Sequence, residues 1–168
     1  MKRRKRSSVL SQKITIRQAR LRDLEILVGH RRKMWEDLGM KDKSALTKAD
    51  RVYRKWTRSG FKNETLVGWV AESEEGTAVG SGCIWLRPAQ PRPNRNEQVQ
   101  PYLLSMYTEP RFRRKNVATK VVKEAIKWCR KDGYTRLILH ASKYGRRLYR
   151  KQGFRRSWEM RMNLERKP

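Results

Sequence analysis

The chain has 168 residues, the size of one ordinary domain with a real core, and its 43 Lys and Arg against 16 Asp and Glu give a formal charge of +27 and a pI near 11.1. That excess attracts polyanions, so nucleic acid, acidic proteins and phosphorylated small molecules are all admissible partners. No window approaches the roughly 18 apolar residues of a membrane span and no cysteine or histidine spacing suits zinc, so a soluble, cytoplasmic protein without a metal site is expected.

The first twelve residues, "MKRRKRSSVLSQ", are basic and lack the apolar run of a secretion signal. Residues 1–12 are therefore expected to be a disordered tail, either solvated or an arm toward an acidic surface, ahead of one domain over 13–168. "KITIRQA" alternates Ile14 and Ile16 with polar residues and predicts a first strand. Arg22 and Asp23 open a helix in which Leu24, Leu27, Val28, Met34, Trp35 and Leu38 keep helical spacing up to Gly39. A second helix takes Thr47 as its N-cap, puts Val52, Tyr53 and Trp56 on one face and stops at Gly60.

"TLVGWVAES" and "AVGSGCIWL" predict two antiparallel strands joined at "EEGT", with Gly76 in the turn. The stretch 87–101 holds four of the six prolines and reads as a loop, a substrate-side flap or a link. "YLLSMYT" predicts the next strand. After Pro110, Val117, Val121, Ala125 and Cys129 repeat at spacing four, beside Ala118, Val122 and Ile126, up to Gly133. A buried strand "RLILHA", a short helix "YGRRLYRKQG" and a last strand "FRRSWEMRMNL" complete the chain. Cys83 and Cys129 each sit inside an apolar pattern, which predicts buried thiols in a reduced compartment rather than a disulfide. The order β α α β β β α β α β, with a central βαβ unit after a hairpin, predicts an α+β (three-layer α/β) fold. Its sheet is mixed, mostly antiparallel and six to seven strands wide, with helices on both faces.

In "PRFRRKNVATK" a strand stops, a tight loop follows and a helix starts, so free backbone N–H groups and the positive helix end converge where an anion fits. Arg113, Arg114 and Lys115 add charge, and Asn116 is the non-glycine type that best tolerates a left-handed backbone. An exposed basic loop is the alternative reading of the same residues.

The stretch resembles motif A of the GCN5-related N-acetyltransferases (GNAT), in which a strand, Arg/Gln-x-x-Gly-x-Gly/Ala and a helix hold the pyrophosphate of acetyl-CoA. Here the pattern falls on Arg113-x-x-Asn116-x-Ala118, with Asn116 at the usual glycine. "LHASKYGRRLYRKQGF" is similar to the family's second signature, matched by Leu148-Tyr149 and Gly153-Phe154, with Ser142 where a CoA-contacting Asn often stands. "LVGWVAE" and "GSGCIWL" fit its second and third strands, so the resemblance spans residues 13 to 164. Together with "YTEP" it looks like a microbial group of mostly unassigned substrate.

The resemblance implies an acyl-CoA N-acyltransferase-like fold and an enzyme that moves an acetyl group from acetyl-CoA to a primary amine, by direct attack in a ternary complex, releasing CoA. It places the pantetheine arm along Met106, Tyr107 and Thr108 as an added strand. It sets the pyrophosphate on the N–H groups of Arg113, Arg114, Lys115, Asn116, Val117 and Ala118, with Ser142 also touching the cofactor. The thioester lies where strands four and five splay, the oxyanion meets an N–H of strand four such as that of Tyr107, and Tyr149 is the acid for the leaving thiolate. Glu109, Glu97, Glu72 and a water chain all stay open as the base, while His140 reads as structural. The acceptor, small or protein, would be lined by segments 21–60 and 87–101, with Trp35, Tyr53 and Trp56. The alternatives are a GNAT-like fold without chemistry that binds nucleic acid, and an enzyme whose basic surface recruits an acidic or nucleic-acid-bound substrate. Monomer and homodimer are both compatible.

Overall fold

The computed structural model describes residues 13–91, 93 and 98–164; the basic tail 1–12 and Glu97 lie outside the described residues. Strand β1 (Thr15–Gln18) and a 3-10 turn (Leu21–Asp23) lead into helices α1 (Leu24–Asp37) and α2 (Lys43–Lys62). Strands β2 (Leu66–Glu72), β3 (Ala78–Pro88) and β4 (Val99–Thr108) follow, then a 3-10 turn (Pro110–Phe112), α3 (Val117–Lys131), β5 (Ile138–Leu139) and α4 (Arg146–Lys151). The sheet runs β1-β2-β3-β4-β5, antiparallel through β4 and parallel between β4 and β5.

Strand alternation divides the core. Trp69, Ala71, Ile84 and Leu103 meet Val117, Val121, Val122, Ala125 and Cys129 of α3. Leu66, Val70 and Cys83 pack on the opposite face with Leu27 of α1 and Trp56 and Phe61 of α2. Helices therefore cover both faces, as the sequence predicts, and both cysteines are free and buried. Arg17 on β1 clamps the start of α1: its guanidinium gives two 2.8 Å hydrogen bonds to buried Asp23 and one of 2.9 Å to Glu72. The Arg17 hydrogen bonds outweigh burial and hold the Asp23 carboxyl below its usual range.

Several sequence expectations are corrected. The sheet has five strands rather than six to seven, because 154–164 forms no strand. Its alternating Trp158, Met160, Met162 and Leu164 stand in solvent, Trp158 at 98% exposure. Alternation marks a segment that can pleat, but a strand exists only where another backbone accepts its hydrogen bonds. β5 is two residues rather than 136–141, since β4 offers it only Tyr102 and Leu103. The loop predicted for 87–101 is shorter, because Pro88 pairs with Val99 and Leu86 with Pro101 inside the β3–β4 hairpin. Helix α2 begins four residues before Thr47: Asp42 is its N-cap, accepting the Ala45 N–H at 3.0 Å, while the Thr47 hydroxyl donates back to the Lys43 carbonyl at 2.9 Å.

Gly60 does not end α2, which continues to Lys62. Its hydrogen lets the helix touch β2, for a Cβ there would lie 2.7 Å from Leu66 Cβ. Gly29 in α1 has open space around the same position. Gly60→Ala should therefore destabilise by about 1–3 kcal/mol through overpacking. Gly29→Ala should stabilise by up to about 1 kcal/mol through helix propensity. Urea unfolding of the two variants checks this; equal effects would contradict the packing assigned to Gly60.

Candidate active site

The site is built on a fault in β4. β4 pairs with β3 along its length but with β5 only at Tyr102↔Ile138 and Leu103↔Leu139. Against β3 the register steps from Cys83↔Leu104 to Ser81↔Tyr107, leaving Ser105 and Met106 opposite Gly82 alone, with Ser105 at φ +52°. This is a β-bulge, which bends the strand and ends regular pairing. Its residues are held from both faces: Tyr53 Oη of α2 donates to Ser105 Oγ at 3.2 Å, and Met106 lies over Gly82 toward Val121 of α3.

Beyond the bulge the Glu109 N–H is bound to the Val79 carbonyl at 2.9 Å, and the chain turns through Pro110–Phe112. Arg114 and Asn116 both take φ +62°, Asn116 as the N-cap of α3. The left-handed backbone expected at Asn116 is thus present, and the glycine's place is filled by the residue type that adopts it most readily. The first hydrogen bond into α3 runs from the Lys120 N–H to the Asn116 carbonyl at 3.0 Å. The Asn116 side chain does not cap, so the N–H groups of Arg114 through Thr119 have no partner among the described residues. Left-handed residues at alternate positions turn such donors into an anion-binding concavity at the positive end of the helix.

The three basic side chains divide their work. Arg113 is spent on the fold, and its backbone N–H, expected among the free donors, is instead bound to the Pro110 carbonyl at 3.3 Å; Nε donates to the Thr108 carbonyl at 3.0 Å, Nη2 bonds Asp37 at the end of α1, and the guanidinium lies 5.8 Å from the Tyr107 ring. Arg114 and Lys115 are exposed, with Lys115 near the Phe112 ring. Val117 is buried under the loop and Ala118 half-buried. Thr108 Oγ1 is buried with no hydrogen-bond partner.

Tyr149 lies on α4 and Ser142 in the turn before it. Ser142 is exposed and shapes the turn into α4, its carbonyl accepting the Gly145 N–H at 3.1 Å. Tyr149 packs edge-on to Phe154 and lines an open cleft of about 1660 Å³ with Ile138, Leu139 and His140, which none of residues 106–118 lines. Burial pushes its phenol up to about 12. His140 ties the strands together, bonding Tyr102 Oη of β4 and, at 2.6 Å, Glu159 Oε1, in keeping with a structural role.

One cluster escaped the sequence reading. His30 of α1, 5% exposed, shares a 2.9 Å hydrogen bond with Ser81 Oγ, and its Nε2 lies 3.7 Å from Glu109. Lys33, one turn on, reaches Glu109 at 2.5 Å, and Tyr107 Oη donates to the same carboxylate at 3.2 Å. Helical spacing i, i+3 was the available signal, but the partners come from β3 and β4 and no local pattern names them. Burial drives His30 down to about 4, leaving it neutral at pH 7. Burial would raise the Glu109 carboxyl, but the Lys33 hydrogen bond and charge outweigh it and hold the group below its ordinary range. Glu72 is taken by Arg17 at 2.7 Å. Both carboxylates are thus held in ion pairs.

With this geometry in view, comparison with known proteins is decisive. The family model for the Acetyltransferase (GNAT) family matches residues 29–154. The chain belongs to the GNAT family. Among solved structures, a predicted acetyltransferase with acetyl-CoA from Clostridium acetobutylicum shares 26% identity at a TM-score of 0.81, covering 91% of this chain and 97% of that one. A GCN5-related N-acetyltransferase from Ralstonia eutropha JMP134 shares 23% identity at a TM-score of 0.81, over 91% and 99% of the two chains. An aminoglycoside N-acetyltransferase in complex with CoA shares 18% at a TM-score of 0.70, over 92% and 96%. No curated protein sequence matches. As a member of this family the protein is an acetyltransferase.

The depressed His30 pKa has a consequence for stability. The unfolded chain binds a proton at this residue near pH 6.5 and the folded one only near pH 4. Stability from a neutral His30 is thus complete above pH 6.5 and falls as pH drops toward 4, by roughly 3 kcal/mol. Denaturant unfolding at pH 7 and pH 4.5 should show this loss, and His30→Gln should flatten it; an unchanged acid limb in the variant would remove His30 as its source.

Proposed function

We propose that the protein transfers the acetyl group of acetyl-CoA to a primary amine, on a small molecule or a protein, by direct attack within a ternary complex. The observation that carries this reading is the start of α3: six consecutive N–H groups without partners among the described residues, left-handed residues at Arg114 and Asn116, and a preceding strand whose pairing with β5 ends at Leu103. An anion of pyrophosphate size matches donors in that arrangement. In this reading the N–H groups of Arg114 to Ala118 hold the pyrophosphate, Arg114 and Lys115 add long-range charge, and Arg113 braces the loop from behind. Met106, Tyr107 and Thr108, past the last β5 pair, offer their backbone to an extended arm. Ser142 sets the turn that presents α4.

Bound acetyl-CoA supplies an activated acyl group as a thioester. Tyr149 keeps its hydroxyl proton throughout the neutral range, because its pKa stands near 12, and is the proton source for the leaving sulfur. With Glu72 paired to Arg17 and Glu109 paired to Lys33, the acceptor's proton departs through water. Nothing in the comparisons supports the alternative of a fold without chemistry.

Acetyl-CoA at 100 times its Kd should stabilise the protein by about 2.7 kcal/mol. For a domain of this size that is a rise of roughly 5–10 °C in Tm. Asn116→Gly should keep the shift, whereas Asn116→Val, which forces a β-branched residue to positive φ, should lose about 1–2 kcal/mol of stability and weaken cofactor binding. No shift in the wild type would overturn the donor site. Tyr149→Phe should lower kcat on the order of 100-fold while the acetyl-CoA shift persists; full turnover would take Tyr149 out of the mechanism.

A further inference from the structure

Helix α2 carries Lys48, Arg51, Lys55, Arg58 and Lys62, all exposed, at steps of three, four, three and four residues. Those steps place them in one stripe of about 21 Å along the helix. Its buried side is defined by Leu46, Tyr53, Thr57 and Gly60, so the stripe faces outward. Among the described residues none of the five forms an ion pair. The acidic residue within α2, Asp50, is bonded to Arg32 at 2.6 Å, and Glu25 is held by Arg54 at 2.7 Å, with Arg58 acting on it only at longer range.

Like charges at helical spacing repel and weaken the helix that bears them. A solvated surface helix ordinarily interleaves carboxylates to relieve this, and α2 interleaves none along the stripe. We infer that this face of α2 docks the sugar-phosphate backbone of a nucleic acid, independently of acetyl transfer. One strand of a duplex presents a charge every 3.4 Å, so the stripe faces about six phosphates with five cations. A membrane is a poorer match: an interfacial helix needs an apolar face toward the lipid, whereas the apolar side of α2 is consumed by the core and the large hydrophobic residue it exposes is Val52 alone. The rigid, regular spacing also suits a regular polyanion better than an acidic peptide.

The +27 charge makes some binding to any polyanion inevitable, so the experiment separates place from total charge. Fluorescence anisotropy with 20-bp RNA and DNA duplexes, between 50 and 200 mM salt, is run on the full chain, on Arg51→Gln/Lys55→Gln, and on Lys123→Gln/Lys127→Gln. The last pair removes equal charge from the exposed side of α3. Loss of two phosphate contacts should weaken α2-variant binding on the order of 50-fold at 0.1 M salt and reduce the log–log salt slope by about 2. The α3 variant should change less than about 3-fold, on the same scale. The α2 variant should also melt no lower than wild type and keep its acetyl-CoA shift, because relieved repulsion is stabilising. Equal loss in both variants, or loss in neither, would overturn the docking face. So would wild-type binding to anionic vesicles or polyglutamate as tight as to the duplexes.

Discussion

β4 is paired with β3 on one side except at the bulge of Ser105 and Met106, and with β5 at only two residues on the other, and that asymmetry organises the molecule. The bulge at Ser105 and Met106 lies just past the last β5 pair, and Gly82 permits it by leaving room for the Met106 sulfur. A strand in mid-sheet with unpaired backbone would ordinarily be a defect, since buried N–H and C=O groups without partners are costly. Here the exposed edge leads directly into the loop before α3, where further donors are left open. Two deficits in hydrogen bonding lie end to end on one stretch of chain, the one the proposed function assigns to the acyl donor.

Such an edge keeps its shape only if the surrounding structure is stiff. Tyr53 and Ser105 hold the bulge from α2, while His30 and Lys33 of α1 reach Ser81 and Glu109 on either side of it. Arg113 then joins the last carbonyl of β4 to the far end of α1. Side chains of both N-terminal helices thus converge on β4 and its neighbours and position them. The basic residues flagged by composition divide in the same way: Arg113 is consumed by the fold, while Arg114 and Lys115 remain outside it.

How much of this was legible in the sequence depended on the range of the physics involved. The amphipathic repeat of α3, the turn at Gly76 and the left-handed tendency of Asn116 are encoded within a few residues, and each is found where the local pattern puts it. Asp42 outcompeted Thr47 as a cap because both are competent and only the packing of α2 decides where the helix begins. Gly60 carries no local mark telling a helix stop from a point of close approach; Leu66, six residues on and in another element, makes the difference. The bulge, the shortness of β5 and the lack of a strand at 154–164 all depend on which backbones meet, which a single strand's alternation does not record. His30 was invisible for the same reason, its partners being 51 and 79 residues away.

Asn116 has a further effect, which arises in the chain before it folds. A glycine at that position samples both halves of the backbone map when unfolded, and ordering the loop would forfeit that freedom. Asparagine narrows the denatured ensemble, an effect worth about 0.4–1 kcal/mol for compatible replacements of glycine, and its folded backbone already lies in the left-handed well. Less disorder then has to be removed when the loop closes on an anion. On the proposed reading, the residue that breaks the family's glycine pattern leaves the loop preorganised for an anion, and preorganisation lets more of the binding energy survive as affinity.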